Sequence, residues 1–134
     1  MMEAPRHLSE PWFSLVATGQ KVREGRLGNN SMGAVPVGTK IKFYNDDLGR
    51  RREALVTVTK KELFSSFRAM LSSSDSALAK TLPTVRSVED GVAVYRKFYS
   101  AESEKKHGVV AVSIKRVSAS PSSARSAASA RSRS

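Results

Sequence analysis

The stretch "TGQKVREGRLGN", residues 18–29, sets a lysine, a glutamate and two arginines among three glycines, directly after an apolar segment. Ordinary turns manage with Asn, Gly and Ser, so these charges ask for another reading. An interior glycine costs a helix about 1 kcal/mol relative to alanine. Gly25 therefore stops any helix from running on, and residues 22–26 read as a strand. Strand side chains alternate, which puts Val22, Glu24 and Arg26 on one face and Arg23 on the other. Lys21 stands where helix gives way to strand, and its long stem can reach the same face. Lys21, Glu24 and Arg26 thus converge at the rim of a sheet. Gly19 and Gly25 permit the tight turn and let a ligand's backbone come near.

Working outward, residues 11–17 place Trp12, Leu15 and Val16 at i, i+3, i+4, with Pro11 at the start and Gly19 just past the end. That is a short amphipathic helix, Trp12 packing it against the sheet. Downstream, "PVGTKIKFYNDDLGRRREALVTVTKK" reads as two strands. Ile41 and Phe43 alternate with lysines, Ala54, Val56 and Val58 alternate with Leu55, Thr57 and Thr59, and Asp46, Asp47 and Gly49 make the turn. Residues 62–71 return to helical spacing, with Leu63, Phe67, Met70 and Leu71 on one face, and a weaker helix covers 77–82. Ser87 caps a further helix whose inward face is Val88, Val92, Tyr95 and Tyr99, with Asp90 in its first turn. "VVAVSIKRV" after Gly108 closes the domain as a β-branched strand. The order predicts an α+β domain, a small curved sheet or barrel with helices outside it.

The 134 residues suffice for one domain. That domain is predicted over residues 1–117. Residues 118–134, Ser, Ala and Arg with one Pro, lack the apolar side chains to offset ordering entropy and are predicted to be a disordered tail. No apolar run approaches the roughly 20 residues of a membrane span, and "MMEAPRHLSEPW" has no signal-peptide pattern. An intracellular protein is expected, cytoplasmic or nuclear, with no membrane partner. Absence of cysteine excludes disulfides and thiolate metal sites.

Twenty-three Lys and Arg stand against 12 Asp and Glu, a net charge of +11. Taking away the tail's Arg125, Arg131 and Arg133 leaves 20 against 12, or +8, on residues 1–117. The domain itself is basic, as suits a polyanionic partner such as nucleic acid. Charge alone does not separate that partner from simple solubility. Within the opening stretch, Lys21 and Arg26 can bind phosphate, while Glu24 can orient a guanidinium or accept a base's exocyclic amine. A partly buried Lys beside Glu can also trade protons with a substrate. The bland alternative is a set of surface salt bridges, each contributing about 0 to 1 kcal/mol.

Gly19, Lys21, Glu24 and Arg26 stand as G-x-K-x-x-E-x-R, which resembles the signature of the ASCH domain, a family similar to PUA domains. The resemblance extends over residues 7–117, through "VPVGTKIKFYND", "LVTVTKKELFSSFRAML", "SVEDGVAVYRKFYSAESEKKHG" and the last strand. It implies a PUA-like β-barrel with flanking helices and a cleft lined by Lys21, Glu24 and Arg26, with Gly19 shaping the turn. It also implies RNA or a nucleotide as partner. Some similar bacterial proteins are amidohydrolases on acetylcytidine that use a lysine, a threonine and a glutamate, and another is a ribonuclease. Lys21 matches the lysine, but Glu24 fills the threonine's place, and Glu89 is only a loose candidate for the catalytic glutamate. If the protein is an enzyme, Lys21 and Glu24 are the expected catalytic pair.

Other chemistries lack their residues. Two histidines, His7 and His107, do not make a zinc site without distant carboxylates, so no metal is expected. "GRLGNNSMG" lacks the Lys-Ser/Thr ending of a phosphate loop, and there is no G-x-S-x-G, so no cofactor is expected either. Arg50, Arg51 and Arg52 can grip phosphates or simply be solvated at a hairpin tip. Tyr95, Phe98 and Tyr99 can stack on bases, although helical spacing favours core packing, and Arg96 can extend a basic surface. The expected function is an RNA- or nucleotide-binding module. The alternatives are a hydrolase on a modified nucleoside or RNA, and a protein-interaction module meeting an acidic partner.

Overall fold

Four consecutive residues near the end of the chain, Val109, Val110, Ala111 and Val112, are all buried in the computed structural model, which describes residues 4–117. A strand half-covered by solvent would alternate. Here neither side chain direction is wet, because β5 (Val109–Arg116) carries a hydrophobic cluster on each face. Val110, Val112 and Ile114 join Ile41, Phe43, Val56 and Val58 in one cluster, while Val109 and Ala111 join Phe67, Met70, Leu71 and Tyr95 in the other.

The sheet has five strands in the order β1-β3-β4-β5-β2: β1 (Arg6–His7), β2 (Arg23–Leu27), β3 (Lys40–Asn45), β4 (Arg52–Phe64) and β5. Only the β1–β3 pair is parallel. Strand β4 is long enough to serve two neighbours: residues 52–57 pair with β3 and the part from Val56 onward with β5. A register shift between Val58 and Lys60 leaves Thr59 unmatched. Such a bulge bends a strand and raises its twist, and the sheet curls here into a half-barrel. The first cluster fills its concave side, closed by α1 (Trp12–Ala17) and Met32 of a short 3₁₀ turn (Ser31–Ala34). Helices α2 (Phe67–Leu71), α3 (Ala77–Thr81) and α4 (Val88–Arg96) supply side chains to the second, and α5 (Ala101–His107) packs beside β2. The fold is the expected α+β, PUA-like curled sheet with flanking helices.

The helix expected over 62–71 is corrected. Glu62, Leu63 and Phe64 pair with Ala111, Val110 and Val109 of β5, and the helix begins only after Ser66, whose hydroxyl accepts from the Ala69 N–H. Edge-to-edge pairing outweighed helical spacing, as tertiary context often does. Leu63 in consequence is 81% exposed instead of facing inward. Ser87 caps α4 through the Asp90 N–H, and Val88, Val92, Tyr95 and Tyr99 pack against the second cluster as expected. The weaker helix forms as α3. Neither β1 nor α5 was foreseen. Helix α5 lacks apolar periodicity, but Ser100 at its N-cap, basic residues in its last turn and Gly108 at φ +68° mark it. The predicted tail, 118–134, lies outside the described residues. Among those described, no helix is long and apolar enough to cross a membrane.

Candidate functional site

Helix α1 ends in a way that aims the chain. Gly19 takes φ +80°, its N–H bonds to the Val16 carbonyl at 3.0 Å, and the Gln20 N–H bonds to the Leu15 carbonyl at 2.9 Å. This is the Schellman arrangement that glycine permits after a helix. The reversal brings Lys21 under α1 and starts β2 two residues later. Gly19 itself has open space where a Cβ would stand, so backbone conformation is its whole contribution.

Lys21 is 2% exposed and Glu24 7%. The Lys21 Nζ donates to the Arg23 carbonyl at 2.9 Å and to the Thr81 carbonyl, and lies 3.2 Å from Glu24 Oε1. Three acceptors need three N–H groups, which only the ammonium supplies. Burial draws its pKa below the ordinary lysine value, and the Glu24 charge opposes that shift without cancelling it. The other carboxylate oxygen, Oε2, receives Arg26 Nε at 3.0 Å and Nη2 at 2.7 Å. Burial alone would raise the Glu24 pKa, but the charges of Lys21 and Arg26 and their hydrogen bonds outweigh it and hold the carboxyl below its usual range. The three expected residues therefore do meet, around an ionised carboxylate.

They line a cleft of about 200 Å³ between α1, β2 and α4. That is smaller than the roughly 300–1,000 Å³ of sites for drug-sized ligands, so the space suits one small group. Its other walls are aromatic: Trp12, Tyr95, Phe98 and Tyr99, with His7 from β1 also lining it. Trp12 carries the Lys21 Nζ 5.6 Å from its ring centre. Phe67 stacks on Tyr95 at 4.1 Å and near Tyr99 at 5.5 Å, which fixes both tyrosines from behind.

Tyr95 is 6% exposed, and its hydroxyl lies against the Gly25 backbone without a hydrogen bond of ordinary geometry. Burial, reinforced by the Glu24 charge, pushes its pKa well above the normal tyrosine value, so the hydroxyl keeps its proton. Buried polar atoms without partners are uncommon, and this one borders the cleft. A Cβ at Gly25 would come within 2.7 Å of both Tyr95 Oη and Met70 Cε. The space expected to admit a ligand's backbone at Gly25 is thus taken by the protein's own side chains.

Lys21, expected to be able to bind phosphate, gives its hydrogens to protein acceptors. Arg26 keeps that capacity: two of its five N–H groups serve Glu24, and the Tyr99 hydroxyl adjoins it. The remaining candidates stand away from the cleft lining. Arg50 is exposed at the hairpin tip, Arg51 pairs with Asp46 at 3.3 Å and lies 4.0 Å over Tyr44, and Arg52 bonds Glu10 at 2.9 Å and Asn45 at 2.7 Å. Arg96 bonds Glu104 at 2.8 Å, and Glu89 is an exposed partner of Arg68. His107 ends α5 on the surface. Sequence reasoning assigned Trp12 and the three aromatics of 95–99 to packing. Tyr95 does pack, Phe98 is 60% exposed, and all four also wall the cleft. Their position just before the motif and across from it was the available signal.

Comparison with known proteins agrees with this fold. The crystal structure of hypothetical protein PH0355 is similar over 87% of this chain and 100% of its own, at 35% identity and a TM-score of 0.74. The solution NMR structure of protein PF0455 from Pyrococcus furiosus is similar over 89% and 100%, at 34% identity and a TM-score of 0.69. No curated protein matches. Residues 7–118 match the ASCH domain, and the chain belongs to that family.

Proposed function

We propose that this protein is an RNA-binding module that takes one unpaired base, alone or at the end of a strand, into the cleft beside Glu24. The observation that carries the reading is a buried carboxylate held ionised within an aromatic-walled space the size of one small group. A carboxylate has about four acceptor positions, and three are used by Lys21 and Arg26. The one left can accept an exocyclic amine. Trp12, Phe98 and Tyr99 offer faces or edges for stacking, the usual means of holding an unstacked base. Arg26 has N–H groups to spare for a base carbonyl or a phosphate. Lys21 acts behind Glu24 as a positioning residue. Family membership and the net charge of +8 on residues 1–117 support a nucleic-acid partner.

The hydrolase alternative has one observation in its favour: burial lowers the Lys21 pKa, as proton transfer by a lysine requires. With all three of its N–H groups engaged, binding is the better supported reading. The test is an anisotropy titration of short single-stranded RNA with the full chain at two salt concentrations, comparing wild type with Phe98→Ala and Arg26→Ala. Stacking contributes about 1–3 kcal/mol per base, so exposed Phe98 should be missed at both salts. Loss of Arg26, where it meets phosphate, should flatten log affinity against log salt by about 0.7. RNA binding that neither variant weakens sinks the proposal, and turnover of acetylcytidine that Glu24→Gln abolishes would replace it with the hydrolase.

A further inference from the structure

Strand β2 has a second side. Arg23 points opposite to Glu24 and Arg26, into a groove of about 390 Å³ that Thr59, Lys60, Glu62, Ser73 and Lys80 also line. Arg23 is only 5% exposed, yet its guanidinium is loosely held: 3.2 Å to the Met70 carbonyl, 3.3 Å to Ser73 Oγ and 3.5 Å to Glu62 Oε1. Charge-assisted bonds between a cationic nitrogen and a carboxylate normally close to about 2.7–2.9 Å. Arg26, on the other side of the same strand, meets Glu24 at 2.7 Å. The contrast marks Arg23 as a buried cation lacking a close counter-charge.

Its one carboxylate is shared. Glu62 Oε2 lies 3.6 Å from Lys60 Nζ, and Lys80 makes no ion pair among the described residues. Three cations therefore face a single anion, which leaves the groove at +2. The unmatched Thr59 of the β4 bulge adds a hydroxyl to the wall, as do Ser73, Ser74 and Ser113. A guanidinium has five donors in a planar fork, and three bonds occupy Arg23, two of them long.

We propose that this groove binds a phosphate group, with the Arg23 fork on two phosphate oxygens, Lys60 and Lys80 flanking, and the Ser74 and Ser113 hydroxyls completing the shell, since Thr59 and Ser73 already give their hydroxyl hydrogens to the Ser113 and Met70 carbonyls. The site is separate from the cleft and stands whether or not the cleft takes a base. Its phosphate can belong to an RNA backbone or to a small phosphorylated molecule.

The test has one arm for each source and uses the full chain throughout. In the first, inorganic phosphate is titrated in proton–nitrogen NMR with ionic strength held constant by chloride, on wild type and on the Lys60→Ala, Lys80→Ala double variant. Both lysines are exposed, so the variant should fold. Saturable shifts of the Ser73, Ser74 and Ser113 amides are expected, weakened about tenfold or more in the variant, the size of two partly screened charge contacts. In the second arm, the salt slope of single-stranded RNA binding should fall by about 1.4, two contacts at about 0.7 each. A response in the first arm alone assigns the groove to a small phosphorylated ligand, and a response in the second assigns it to the RNA backbone. If phosphate produces no saturable shift and the RNA slope is unchanged, the proposal is overturned.

Discussion

Lys21 Nζ lies 3.2 Å from Glu24 Oε1 with both side chains buried, and the lysine's two other hydrogens go to the Arg23 and Thr81 carbonyls. The pair joins the end of α1, the start of β2 and the end of α3. It supports the fold as well as the cleft.

Lys21→Met should therefore destabilise the protein by about 3–5 kcal/mol, the usual result of leaving one member of a buried pair without its partner. Urea denaturation checks this. A loss below about 1 kcal/mol would mean that Arg26 alone suffices to hold Glu24.

The acid limb of stability should belong partly to Glu24. Its folded pKa is lowered from 4.5, so between the folded value and 4.5 the unfolded chain binds more protons. Stability from this group is fully present above the unfolded pKa and is lost as pH falls through the folded one. Glu24→Gln should be less stable than wild type near neutrality and should lose less on acidification. Urea midpoints measured from neutrality down to about pH 3 decide it, and parallel curves for the two proteins would remove Glu24 from the acid response.

Tyr95→Phe should leave the free protein as stable as before, or more stable by up to about 1 kcal/mol, because the Oη it deletes is buried without a good partner. RNA affinity should nevertheless drop if that hydroxyl faces the ligand. Thermal melts and the anisotropy titration separate the two effects. Destabilisation of more than about 1 kcal/mol would show that the hydroxyl is satisfied in the free protein.

Two glycines of the motif region should differ in tolerance. A Cβ at Gly25 meets Met70 Cε and Tyr95 Oη at 2.7 Å, and the methionine end can swing aside, so Gly25→Ala should cost about 1–3 kcal/mol. At Gly28 the Cβ would fall 2.2 Å from the His107 carbonyl oxygen, which is backbone and cannot move alone. Gly28→Ala should be the more damaging of the two in chemical denaturation. The reverse order would mean that the α5–β5 junction yields more easily than the Tyr95 packing.

Local signals carried much of this fold. Alternation at Ile41 and Phe43, the Ser87 cap and the run at 109–117 each report an element whose neighbours in sequence suffice to specify it. Residues 62–64 were misread because their state depends on β5, almost fifty residues away, and helical spacing cannot register a distant strand. The meeting of Lys21, Glu24 and Arg26 was legible from strand periodicity and one glycine, since all three lie within six residues.

What the sequence by itself determined, then, was the class of the fold, the charged motif and its shared face, because backbone preference and side-chain alternation act over a few residues. The tertiary structure decided which donors were already consumed. Thr81, brought from α3, takes a Lys21 hydrogen, and Tyr95, brought from α4, fills the space at Gly25. It also set Arg23 beside a distant, shared carboxylate. Hydrogen-bond supply and charge balance are settled by contacts between remote segments, and no local pattern encodes them.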